Sequence, residues 1–118
     1  MFEAENIRDW RNLEVLDPSG AKIGQLEAIY VDTSTDRPSF ASVKTGIIGR
    51  HRLTFVPLDR ATVAPSHVRV AYPRKQVKDA FSIGTDGELA ATDEPGLFEH
   101  YGLAYQPGAG GERRLARR

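Results

Sequence analysis

The chain has 118 residues and a mass of 13.0 kDa, which sets one domain with a modest core, since roughly two thirds of an unfolded chain of this size is buried on folding. At 40% hydrophobic and 27% charged residues it has the composition of a folded globular protein, and the lack of cysteine excludes disulfides, thiolate chemistry and Cys-ligated zinc or iron–sulfur clusters. The zero net charge divides unevenly: residues 1–106 hold 12 Lys+Arg against 15 Asp+Glu, and residues 107–118 hold four Arg against Glu112, so the body lacks the broad positive face of a nonspecific duplex binder.

No apolar run approaches the roughly 18 residues of a membrane helix, and the opening MFEAENIRDW lacks the basic-then-apolar order of a signal peptide. The expected location is cytoplasmic. Residues 1–12 read as a lead-in. From residue 13 to residue 72, short β-branched or aromatic runs alternate with turn residues, the pattern of a small antiparallel barrel or sandwich. Leu13–Leu16 is followed by an Asp17-Pro-Ser-Gly20 turn and a second strand over residues 25–31, making a hairpin. Asp32–Pro38 is a polar turn, Ser39–Thr45 a third strand, and Gly46–Gly49 a bend. Arg52–Leu58, Ala61–Val63 and His67–Tyr72 complete six strands, the last with Val68, Val70 and Tyr72 alternating with Arg69.

After Tyr72 the period changes. Pro73 suits a first helical position, and Val77, Ala80 and Phe81 recur at helical spacing, predicting a short amphipathic helix. Thr92 is placed to cap a second helix with Asp93 and Glu94 in its first turn, where the helix dipole favours negative charge, and with Leu97, Phe98 and Tyr101 on a docking face. Gly102 ends it, and Leu103 folds back towards Phe98 as in a Schellman stop. Residues 73–106 thus form a helical extension, and residues 107–118, glycine-rich and then arginine-rich, a flexible basic tail with only Leu115 and two alanines to bury.

The run Leu13-Glu-Val-Leu-Asp-Pro-Ser-Gly-Ala-Lys-Ile-Gly-Gln-Leu-Glu-Ala-Ile-Tyr-Val-Asp32, the Ala41–Gly46 strand and the Val56-Pro-Leu58 strand together resemble the PRC-barrel family in order and spacing. Leu26 stands where that family usually has Val, and Thr35–Pro38 makes a turn where Gly is common. Asp93–Tyr105 looks like the extension that follows the barrel in many stand-alone bacterial members, so the resemblance spans about residues 7–105. It implies a mainly β fold, a small six-stranded antiparallel PRC-type β-barrel with one or two short C-terminal helices. It also implies adaptor work, as in the cytoplasmic domain of the photosynthetic reaction centre H subunit and the C-terminal barrel of the ribosome maturation factor family. This chain has neither the transmembrane helix of the first nor the extra barrel of the second, and reads as a free-standing relative.

The residues themselves offer no catalytic constellation, no cofactor motif and no metal site. His51, His67 and His100 lie apart, and Asx-turn capping explains Asp32 and Asp36 without a calcium ion. No Ser occupies a nucleophile elbow, and the chain is expected not to be an enzyme. One local cluster has chemical promise: Gly46, Ile47, Ile48 and Gly49 followed by Arg50, His51 and Arg52, a glycine turn beside two guanidiniums that suits a phosphate, a carboxylate or a partner contact. Ile47 and Ile48 at its tip also suit self-association into a homo-oligomer. The leading expectation is an adaptor or scaffold for a protein partner. The alternatives are an RNA- or ribosome-associated assembly factor contacting nucleic acid through the Arg50–Arg52 turn and the tail, and a small anion-binding sensor.

Overall fold

The computed structural model describes residues 10–46, 49–106 and 113–118. Strands β1 (Glu14–Leu16) and β2 (Lys22–Asp32) form the first hairpin. Its turn closes through the Gly20 amide donating to the Asp17 carbonyl at 2.9 Å, with Gly20 at φ 91°, a left-handed conformation glycine adopts without strain. One Asp17 carboxylate oxygen accepts the Ser19 amide, the Ser19 hydroxyl and the Ala21 amide at 2.9, 2.6 and 2.9 Å. The other accepts the Arg74 amide at 3.1 Å, tying the turn to the start of helix α1 (Arg74–Lys78).

These donors, the Ser19 hydroxyl first, hold the Asp17 carboxyl down to about 2 from its usual 3.8, against burial, which raises it. The unfolded chain therefore binds this proton more tightly than the folded one. The resulting stability is fully present above about pH 4 and drains away as pH falls through about 2, with about 2 kcal/mol at stake. Asp17→Asn is expected to lose about that much in urea denaturation at pH 7 and to flatten the stability slope between about pH 4 and 2. Identical slopes for the two proteins would refute the assignment.

Beyond β2 come β3 (Pro38–Thr45), β4 (Arg52–Pro57) and β7 (Ser82–Gly84), each antiparallel to the one before. On the other side β1 pairs in parallel with β6 (His67–Arg69), which pairs with β5 (Thr62–Val63). The two ends of this path, β5 and β7, do not pair. The sheet is thus mainly as expected in its strands but not in its closure: among the described residues it is an open, mixed sheet of eight strands, not a closed six-stranded antiparallel barrel. The cause is local. β1 pairs with β2 along one edge and takes up β6 in parallel along the other, with the Val70 amide donating to the Leu16 carbonyl at 2.8 Å. Strand direction over three residues leaves no trace in side-chain alternation.

The eighth strand corrects the expected flexible tail at residues 115–117, and residues 107–112 of that tail lie outside the described residues. Leu115–Arg117 forms β8, antiparallel to Tyr30–Asp32 on the stretch of β2 edge that β1 is too short to reach. A tail with one large apolar residue gains order because Leu115 is fully buried. The N-terminal lead-in is likewise more than a lead-in at its end, since Trp10 joins the core and the Asn12 amide donates to the Leu26 carbonyl at 2.8 Å.

Helix α1 follows Pro73 and buries Val77, with Ala80 buried just past its end; Phe81, expected on the same face, is 40% exposed because the helix stops at Lys78. Helix α2 (Glu94–His100) follows a single 3-10 turn at Ala91–Asp93, and Thr92 makes no cap. Its far end is the expected Schellman stop: Gly102 has φ 70°, its amide donates to the Glu99 carbonyl, and the Leu103 amide donates to the Phe98 carbonyl, both at 2.9 Å. Both helices contribute to one core with β1–β4 and β6, and no helix among the described residues is long and apolar enough to cross a membrane.

Candidate functional site

Helix α1 lies across β2 and β4, at the end of the sheet where β2 begins and β3 finishes. Between them runs a groove of about 700 Å³. Lys22 and Gln25 come from β2, Lys44 and Thr45 from β3, His51 from the turn after Gly46, and Arg74 and Lys78 from α1. Gly24 forms its floor, where β2 and β3 approach too closely for any side chain: a Cβ there would stand 2.2 Å from the Lys44 carbonyl oxygen. A second depression of about 260 Å³ shares Thr45, Gly46 and Lys78 with the first and adds Arg50 and Arg52. Gly46 has φ 99°, which turns the chain sharply enough that a Cβ would meet the Arg50 carbonyl at 2.6 Å.

Among the described residues, no carboxylate lines either depression. Among the described residues, Lys44, Arg50, Arg52, Arg74 and Lys78 form no ion pair, while Lys22 reaches Glu14 at 3.2 Å. Arg74 and Lys78 also line a neighbouring hollow, together with Asp17 and Asp79. The groove is therefore one-signed and exposed, and can bind an anion at a strength that falls with salt, because charges more than about 8 Å apart are screened at physiological ionic strength.

The tail arginines are spent differently. Arg113 pairs with Glu88 at 2.7 Å, Arg114 with Asp32 and Arg118 with Asp36 each at 2.8 Å, and Arg117 with Glu27. Exposed pairs of this kind contribute about 0–1 kcal/mol each, so they orient β8 more than they hold it. The holding falls to Glu94. This carboxylate is fully buried and accepts the Tyr105 hydroxyl at 2.7 Å, the Arg114 amide at 2.8 Å and the Leu115 amide at 2.9 Å. Burial, and then the bond to Glu94, push the Tyr105 phenol up to about 12.

The PRC-barrel domain family model matches residues 2–77, well over half of the chain. The chain belongs to the PRC-barrel family. The match takes in the sheet from β1 to β6 and most of α1, so β7, α2 and β8 lie beyond it. A search of curated proteins finds no match. Within the family motif, Gly24 is the position whose side chain would strike β3, and the turn made without glycine is made by Asp36 at φ 59°, a left-handed conformation that Asp tolerates.

Gly46, Arg50, His51 and Arg52 line the groove or the depression beside it, Gly49 precedes Arg50 in the chain turn with φ 85° but lines neither, and Ile47 and Ile48 lie outside the described residues. Leu97, Phe98 and Tyr101 are buried against the sheet and Leu103 partly so. Phe40 meets the rings of Phe98 and Tyr101 at 5.1 and 6.3 Å, and the Tyr101 hydroxyl donates to the Phe55 carbonyl. His100 donates from Nε2 to the Gln76 carbonyl at 2.7 Å, joining α2 to α1. The histidines stay apart, and among the described residues no three His, Asp or Glu side chains gather as metal ligands. The groove also gathers Lys22, Lys44, Arg74 and Lys78, which no motif in the sequence marks. Each is an ordinary surface cation in its own segment, and only the crossing of α1 over β2 unites them.

Proposed function

We propose that this PRC-barrel chain is a non-enzymatic adaptor of the cytoplasm that binds an acidic protein partner in the groove between α1 and the β2–β3 end of the sheet. The supporting observation is the contrast between the two sets of basic residues. Every tail arginine is matched to a carboxylate of the chain itself, whereas five groove cations among the described residues are matched to none. That contrast favours the groove over the tail as the contact surface, and with it a protein partner over nucleic acid held by the Arg-rich end. The solidly packed interior favours recognition on the outside of the sheet.

The test is affinity capture from native extract at low and high salt, with wild type beside Lys44→Glu/Lys78→Glu and Arg117→Gln/Arg118→Gln. Acidic proteins are expected on wild type at low salt, to fade at high salt, to be lost with the groove variant and to persist with the tail variant. An unchanged set of captured proteins on the groove variant would overturn the proposal, and recovery of nuclease-sensitive material that depends on the tail would establish the assembly-factor alternative.

A further inference from the structure

The smaller depression has a composition the rest of the groove lacks. In register, Arg52 of β4 stands opposite Thr45 of β3, and Thr54 stands opposite Ser82 of β7. Arg52 and Thr54 are two residues apart on one strand, so all four side chains leave the same face of the sheet. The Arg52 guanidinium is fixed there: Nε donates to the Ser82 hydroxyl at 2.9 Å and Nη2 to the Ser82 carbonyl at 3.0 Å, which leaves Nη1 free to point elsewhere. The Thr45 and Thr54 hydroxyls lie 3.2 Å apart. Lys78 from α1 and Arg50 complete the lining.

Three cations and three hydroxyls around one small hollow offer more donors than a planar carboxylate has lone pairs to use, and suit the three oxygens and near-double charge of a phosphomonoester. The hollow opens into the larger groove, where Lys22, Lys44 and Arg74 stand ready for flanking negative charge that free phosphate would not supply. Resting on the groove as the binding face, we infer that the depression is a phosphoryl subsite for a phosphoserine or phosphothreonine in an acidic segment of the partner. Arg52 supplies the held guanidinium, Lys78 the second charge, and Thr45 the hydroxyl donor, which gives up a long 3.4 Å contact with the Arg52 carbonyl, while buried Thr54, 3.4 Å from the Val43 carbonyl, backs it.

The experiment uses fluorescence anisotropy of the full chain with a labelled all-glutamate peptide carrying a central serine, with and without its phosphate, and inorganic phosphate as competitor. Phosphorylation is expected to tighten binding about tenfold. Arg52→Gln and, independently, Thr45→Val are expected to bring the ratio of the two affinities to about one, with Arg52→Gln also weakening the unphosphorylated peptide because a groove cation is lost; Thr45→Val keeps the test sound should loss of the Ser82 bonds disturb β4 and β7. Equal binding of both peptides, or a gap that survives both variants, would overturn the subsite and leave the groove reading standing. Binding of neither peptide overturns both. Inorganic phosphate competing as strongly as the phosphopeptide would replace the partner residue by a free anion and overturn the inference in that form.

Discussion

Glu94→Ala is expected to lose about 3–4 kcal/mol of stability, a large share of the 5–15 kcal/mol typical of a domain this size. The substitution removes a buried carboxylate and strands its three donors, the Tyr105 hydroxyl and the amides of Arg114 and Leu115, where water cannot reach them easily. Those amides begin β8, so the loss falls first on that strand. Hydrogen exchange should show protection vanishing at Leu115 and Arg118, which pair with Glu94 and the Ile29 carbonyl, while the β3–β4 amides stay protected. Glu94→Gln keeps one acceptor and turns an NH2 towards a backbone N–H, so an intermediate loss is expected. A urea midpoint for Glu94→Ala within error of wild type would show that the carboxylate does not hold the strand.

Gly24→Ala is expected to cost about 3 kcal/mol, at the upper end of overpacking changes. The added methyl group would lie 2.2 Å from the Lys44 carbonyl oxygen and 2.9 Å from Val43 Cγ1, so relief requires β2 and β3 to part. Backbone cannot be compressed as a side-chain tip can be moved. The groove floor opens with it, and salt-dependent capture of acidic protein should fall together with the thermal midpoint. Gly20→Ala makes the comparison informative. No atom lies within 4 Å of a Cβ there, so its cost is confined to the strain of a φ of 91°. Equal stability of Gly24→Ala and wild type would show that the strands yield freely.

Much of the fold was legible because turn chemistry and alternation act locally. Asp17-Pro-Ser-Gly20 announces its hairpin, and Gly102 with Leu103 announces the end of α2, since each turn needs those residue types at those places. Glu94 was readable only as a negative charge suited to a helix start. Its actual partners come from residues 105, 114 and 115, and nothing in its neighbourhood signals them. Leu115 has little apolar company in its own segment, yet one leucine is enough when a strand edge and a carboxylate await it. The site divides the same way. Gly46 and Arg50–Arg52 form a cluster visible in a single segment, while Lys22, Lys44, Arg74 and Lys78 converge only through the path of α1.

The pairing of β8 with β2 also bears on how the molecule is made. Contacts such as Asp32–Arg114 and Glu27–Arg117 join residues 82 and 90 positions apart, so a nascent chain carries bare hydrogen-bonding groups at Ile29–Asp32 until residues 115–118 have left the ribosome. During that interval the ready substitute is the same strand from a neighbouring polysome product, which makes strand exchange between newborn copies the characteristic assembly error of this protein.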